Sequence, residues 1–274
     1  MQRPDINELK VKAKELRKTV LRMLTNAGSG HTGGSLSLIE IVMSLYFYKM
    51  RYDPKNPNWD MRDRLVLSKG HGCSTLYAVL AEVGYFPKEE LMTFRKFGSR
   101  LQGHPQLGLP GLEASTGSLG QGLSIANGMA LANRMDKKDI RVYCIMGDGE
   151  LNEGEIWEAL MTSAHYHLDN ICGIVDFNKQ QIDGWCSEVM NLEPLRDKWI
   201  SFGWHVIECN GHNFEELMNS LDEAERIKGK PTVILAHTIK GKGVSFIENQ
   251  PKWHGIAPKK DELERALKEL DEED

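Results

Sequence analysis

Gly147, Asp148 and Gly149 follow an apolar run, Val142–Met146, and precede a helical pattern that begins near Glu153. At the carboxyl end of a strand in an open parallel sheet, helix amino termini present unpaired N–H groups to anions. Glycines there let the backbone approach a bulky anion, and the carboxylate between them offers a hard oxygen to a divalent cation. A tight strand-to-helix turn without any ligand would account for the tripeptide equally well. A second strand end shifts the balance. Asp176, Phe177 and Asn178 stand at the end of the next apolar run, and Asn178 lies 30 residues after Asp148, about one strand–helix–strand unit. Asp148 and Asn178 therefore belong on adjacent strand ends, where a carboxylate and an amide oxygen can share Mg²⁺ with a diphosphate. No G-x-x-x-x-G-K-[S/T] loop occurs, which counts against the usual nucleotide folds.

The elements that must hold this clamp are legible as an alternation. Leu65–Leu67, Val142–Met146, Ile171–Asp176, Val206–Cys209 and Thr232–Ala236 have strand character, with helical patterns over Leu76–Val83, Ile156–Tyr166, Leu195–Phe202 and Asn213–Ile227 between them. Such alternation implies crossover connections and an α/β fold, a mainly parallel sheet covered by helices on both faces. Ahead of it, Pro4 and Asp5 open a helix in which Asp5 caps and Glu8 completes a reciprocal pair, with Ile6, Leu9, Ala13, Leu16, Val20 and Leu24 as its apolar stripe. The helix after Asn213 turns Phe214, Leu217, Leu221, Ala224 and Ile227 inward and places Glu216 at the capping position.

No internal repeat or linker divides the chain, so residues 1–274 are expected to form a single domain, with a solvated acidic helix or tail over 261–274. The 274 residues are 41% hydrophobic, enough for a substantial core. The 34 lysines and arginines against 39 aspartates and glutamates leave a net charge of −5, with no basic excess for nucleic acid or an anionic membrane. Five scattered cysteines, a charged amino terminus and an apolar stretch from Leu36 to Tyr48 that Glu40 interrupts point to a cytoplasmic protein without disulfides, zinc or a membrane span.

The segment GDGELNEGEIWEALMTSAHYHLDNICGIVDFNKQQIDG resembles the thiamine-diphosphate motif of the amino-terminal half of transketolase. Similar family segments recur as SGHTGGSLS around His31, LSKGHGCSTLYAVL around His71, GHPQ at His104, STGSLGQGLSIANGMA from Ser115 and KWHGIAP at His254, so the resemblance runs from about residue 8 to residue 260. It implies the thiamine-diphosphate-binding fold. It also implies that Asp148, Asn178 and the carbonyl of Gln180 hold Mg²⁺ or Ca²⁺. His71, Gly117, Ser118, Leu119, Gly149, Glu150, Asn178, Ile182 and His254 would meet the cofactor. His31, His71, His104 and His254 would surround the reacting carbons as neutral imidazoles exchanging protons near pH 7. Any one histidine is uninformative alone; in matching segments the four favour function. His165 and His167 lack such a segment and are expected to be structural. Glu153 is either a first-turn acid favoured by the helix dipole or, as the resemblance implies, a catalytic interface carboxylate. Ser118 and Phe177 depart from the family pattern without removing a side-chain metal ligand.

In the family, the glutamate facing the aminopyrimidine and the arginines gripping sugar phosphate lie on a second domain, for which no stretch after His254 is long enough. The chain therefore resembles the amino-terminal subunit of a split transketolase, which moves a two-carbon ketol unit from a ketose phosphate to an aldose phosphate. It would act with a separate carboxy-terminal, pyrimidine-binding subunit, two copies of each. A noncatalytic thiamine-diphosphate-binding regulatory module and a fragment of a longer enzyme are the alternatives.

Overall fold

The computed structural model describes residues 3–272. Helix α1 (Ile6–Ala27) starts where the Asp5 carboxylate accepts the N–H groups of Asn7 at 2.6 Å and Glu8 at 3.3 Å, so Glu8 enters the cap through its backbone. Leu9, Ala13, Leu16, Val20 and Leu24 are buried along it. Gly28 ends it at φ +66°, a left-handed conformation that glycine adopts without penalty. The stretch from Leu36 to Tyr48 is divided among α2 (Thr32–Leu36), α3 (Ile39–Ser44) and a π-helical turn, Leu45–Lys49, all packed into the core.

The remaining elements follow in order. They are β1 (Arg64–Leu67), α4 (Cys73–Glu82), α5 (Gln121–Met135), β2 (Val142–Gly147), α6 (Gly154–His165), β3 (Ile171–Phe177), and a short hairpin of β4 (Gln180–Gln181) and β5 (Gly184–Trp185). Then come α7 (Cys186–Val189), α8 (Leu195–Ser201), β6 (His205–Asn210), α9 (Phe214–Arg226), β7 (Thr232–His237) and α10 (Lys260–Glu272).

Five strands pair in the order β1-β2-β3-β7-β6, every neighbour parallel. Both faces are covered, as the alternation implied. Val142, Cys144 and Met146 join Leu123, Ala126, Ile156, Leu160 and Trp199 in one apolar layer, while Tyr143 and Ile145 join Leu24, Val42, Leu76 and Leu217 in the other. The register pairs Gly147 with Asp176 and Asp176 with Ala236, so the carboxyl ends of β2, β3 and β7 stand level and side by side. This is what places the loops after those strands in one site.

In α9 the Asn213 side chain accepts from Glu215 and Glu216 at 3.0 and 3.2 Å, and Glu216 returns a bond to the N–H of Asn210 rather than that of Asn213. The acidic terminal helix forms over 260–272, with Ala266 and Leu270 buried and Asp271 accepting from Lys18 Nζ at 2.6 Å; residues 273–274 of the expected helix lie outside the described residues. Gly28, Gly30 and Gly33 have the spacing of a dinucleotide-binding turn, but they follow a helix, so the strand that would aim it is missing. All five cysteines are buried and free, and among the described residues no helix is long and apolar enough to cross a membrane.

Candidate cofactor site

Asp148 and the Asn178 loop meet at the ends of β2 and β3. The Asp148 carboxylate accepts the N–H of Gly149 at 2.8 Å and, through its other oxygen, the N–H of Lys179. Asn178 accepts the N–H of Gln180 at 3.1 Å on Oδ1 and points its amide nitrogen at Asp176 Oδ2, 3.4 Å away. A methyl placed on Gly149 would stand 2.8 Å from Gln181 Cβ and 4.0 Å from the Gln180 carbonyl oxygen, so the two loops press together around a position only glycine can fill. Asp148 is 1% exposed; burial first, and then the charge of Asp176, push its carboxyl up to about 7. Both side-chain amide atoms of Gln180 are buried without a partner. The Asp148 carboxylate and the unpartnered Gln180 Oε1 are oxygens of the kind a hard cation takes, and a cation there would offset the cost of ionising the buried Asp148.

Two lysines that sequence reasoning passed over enter the same cleft. Lys69, after β1, is 1% exposed; its Nζ pairs with Asp176 at 2.5 Å and donates to Gly34 O at 3.1 Å. Burial opposes ionisation of Asp176, but Lys69 and the hydroxyls of Ser37 and Thr238 outweigh it and hold its carboxyl below the usual range. Lys240, after β7, is 2% exposed, and its ammonium donates to His254 Nδ1 at 3.0 Å and to Gln181 O at 3.4 Å. Burial first, and then Lys69, bring Lys240 down to about 8. The signal that could have found it is its place: a lysine directly before Gly241, three residues past the end of a parallel strand.

The structure gathers the four histidines. The His31 ring centroid lies 5.2 Å from His71, 6.0 Å from His104 and 5.5 Å from His254, and His71 and His254 are 5.3 Å apart. They arrive from separate places: the start of α2, the 3₁₀ turn Gly70–Gly72, the loop before α5, and the turn after Pro251–Trp253. Burial, reinforced by Arg95, lowers His31 to about 4; burial, reinforced by Lys240, lowers His254 to about 3. His71 and His104 are lowered as well, again by burial first. All four are neutral at pH 7, each able to accept one proton and give another. An ammonium donating to His254 Nδ1 leaves that ring's proton on Nε2. His31 Nδ1 is buried without a partner. His165 and His167 are exposed, outside this cluster.

The remaining candidates separate into a lining and a frame. Gly117 packs against the His104 ring, where an added Cβ would stand 3.2 Å from it. Ser118 is exposed, Leu119 is half-buried, and Gly120 at φ +92° leads into α5. Glu150 is 2% exposed and its carboxylate is spent inside the protein, accepting from Ser68, from Gly120 N at 2.9 Å and from Gly147 N at 3.0 Å. It ties the ends of β1 and β2 to the start of α5. Glu153 occupies the N-cap position of α6, exposed and packed against Gly120, without a side-chain bond to the helix N–H groups. Ile182 stands 65% exposed in the turn between β4 and β5.

Residues 9–273 match the family model described as transketolase, thiamine diphosphate binding domain. The chain belongs to the transketolase family. The SqwG component of a 6-deoxy-6-sulfo-D-fructose transketolase, a subunit from Clostridium sp. (strain MSTE9), is 47% identical over 97% of both chains. An apulose-4-phosphate transketolase subunit from Phocaeicola vulgatus is 42% identical over 97% of this chain and 95% of its own. Transketolase from Leishmania mexicana superposes with a TM-score of 0.91 at 32% identity, covering 98% of this chain and 42% of its own length, and that from Campylobacter jejuni does so at 34% identity and 43% of its length. The chain thus spans less than half of these larger transketolases. The expected transferase of the thiamine-diphosphate-binding fold, an amino-terminal transketolase subunit, is borne out by these likenesses.

Proposed function

We propose that the chain is the diphosphate-binding subunit of a two-chain transketolase. On this reading it moves a two-carbon ketol unit from a ketose phosphate to an aldose phosphate together with a separate pyrimidine-binding subunit, two copies of each, in the cytoplasm. The observation that carries the reading is the bond from the Lys179 N–H, between Asn178 and Gln180, to the Asp148 carboxylate, together with the cluster of four neutral histidines and the cation Lys240 beside His254. Thiamine diphosphate, once bound, supplies a carbon nucleophile and an electron sink for carbon–carbon bond cleavage.

Asp148, Asn178 and Gln180 O would hold Mg²⁺ or Ca²⁺ against the diphosphate, and a bound cation would draw the Asp148 carboxyl back to its ionised form. Gly149, Gly117, Ser118 and Leu119 would line the cofactor, with Ile182 against its ring system and Glu150 fixing the loops beneath. His71 and His254 would meet the cofactor, and His254 offers its Nε2–H as a donor. His31 and His104 would give and take protons at the substrate's hydroxyl and carbonyl oxygens, a task for imidazoles that stay neutral. Glu153, exposed at the head of α6, would face another subunit. The whole of residues 1–274 serves as one binding domain in this scheme.

Support for a partner comes from the relatives that the chain covers nearly end to end, both named as subunits. Leu107, Ile182 and Ile256, all exposed, stand within three residues of His104, Gln180 and His254 and would offer apolar contacts to another chain. The test is to mix the purified chain with a candidate pyrimidine-domain chain and follow two-carbon transfer from ketose phosphates and from a sulfo-ketose. Transfer should require both chains and should fall at least 100-fold in Asp148→Ala, an order of magnitude set by losing a charged ligand group. Full transfer by this chain alone, or by the alanine variant, would overturn the reading.

A further inference from the structure

Glu40, the acid that interrupts the apolar stretch from Leu36 to Tyr48, is 4% exposed. Its Oε1 pairs with buried Arg17 on α1, and its Oε2 lies 2.9 Å from Nδ1 of His212 in the turn after β6. The other ring nitrogen, Nε2, accepts the backbone N–H of Ile239 at 2.8 Å. An accepting Nε2 carries no proton, so the imidazole's proton sits on Nδ1 and is donated to Glu40. Arg17 in turn donates from Nε to the carbonyl of Lys242 at 3.1 Å. One carboxylate thereby holds backbone groups on both sides of Lys240, through a histidine on one side and an arginine on the other. The segment between them has left the sheet, since β7 ends at His237, and at Gly243, φ +92°, an added Cβ would stand 2.9 Å from Arg17 Cδ.

We infer that Arg17, Glu40 and His212 form a positioning relay that sets Lys240 in the anion-binding cleft, with His212 fixed as its neutral Nδ1–H tautomer. The inference rests on the diphosphate reading given above. None of the three touches the ligand; each acts through the backbone that carries Lys240. A buried ion pair with a histidine gains little net stability, because desolvation offsets its attraction, but it admits few geometries. A lysine stem otherwise loses considerable rotamer freedom when its ammonium is held in one place.

The test uses the full chain and inorganic diphosphate with Mg²⁺, titrated by calorimetry, in wild type, Glu40→Gln, His212→Gln, Lys240→Met and the double variants, each with a urea unfolding curve. Each single variant should weaken binding roughly tenfold, and adding Glu40→Gln or His212→Gln to Lys240→Met should weaken it by less than about twofold more, since coupled residues are non-additive. Losses that multiply, or variants that unfold earlier while binding as tightly as wild type, would overturn the relay. Should Glu40→Gln fail to fold, the His212→Gln cycle carries the same decision. Independently, ¹⁵N shifts of His212 in the wild-type chain should report protonation at Nδ1 alone, and an Nε2–H or doubly protonated ring would refute the proposal. Wild type that takes up no magnesium diphosphate sinks the functional reading and the relay together, whereas multiplicative losses sink the relay alone.

Discussion

The end of β1 and the end of β7 each send a buried lysine into the same cleft, and the two find different surroundings. Lys69 meets Asp176, a carboxylate with 0% exposure, and that carboxylate is further satisfied by Ser37, Thr238 and the amide of Asn178. Lys240 meets a ring nitrogen and a carbonyl. Charge is neutralised at the first position and left over at the second. A buried cation without a counter-ion is costly, so the second arrangement makes physical sense if the anion arrives with a ligand. One cleft thus holds a paired lysine and an unpaired one.

The largest effect should come from breaking the β1 side. Lys69→Met leaves Asp176 buried and unpaired, which should cost about 3–5 kcal/mol of stability, and Lys69→Met/Asp176→Asn should recover much of that loss. Urea denaturation checks it; a single variant as stable as wild type would mean that Asp176 is neutralised by something other than Lys69.

On the β7 side the sign reverses. The folded-state pKa of Lys240, about 8, lies below its ordinary 10.5, so between those values the unfolded chain binds more protons and stability rises with pH. Below about pH 8 the cost of burying the ammonium is fully present, and above about 10.5 it is gone. Lys240→Met removes the cost. In the absence of ligand the variant should therefore match or exceed wild type in stability at pH 7, with the advantage shrinking as pH climbs through that window. Thermal unfolding of both proteins from pH 7 to 10.5 measures the trend, and an advantage that widened with pH would contradict it.

The strand-end half of this contrast was visible in the sequence, and the lysine half was not. Val142–Met146 and Ile171–Asp176 announce adjacent strands because their β-branched and apolar residues are buried on both faces, and that pairing alone brings Asp148 and Asn178 together. The histidines needed more. His31, His71, His104 and His254 come from four loops whose convergence no local period encodes, so only family segments linked them. Lys240 and its supports were hidden for a related reason. Glu40 reads as an interruption in an apolar stretch until Arg17, 23 residues before it, and His212, 172 residues after it, are folded against it. Glu150 was legible as a neighbour of the clamp, but its three internal donors come from β1, β2 and the α5 start, which only the tertiary structure assembles.

The smallest effect sharpens the comparison at its edge, where no charge is involved. Ile182 is mostly exposed, so Ile182→Ser should change unfolding stability by no more than about 0.5 kcal/mol. If it packs against the ring system of thiamine diphosphate, losing that apolar contact should cost roughly 1 kcal/mol, about fivefold in affinity for the whole cofactor. Affinity for inorganic diphosphate with Mg²⁺ should stay unchanged, because in the proposed reading Asp148, Asn178 and Lys240 would meet the diphosphate and Ile182 would meet only the ring system. Parallel calorimetric titrations with the two ligands separate these contributions. Equal weakening for both would mean that the turn between β4 and β5 shapes the diphosphate clamp itself, through Gln180 and Gln181, rather than the surface on which the ring rests.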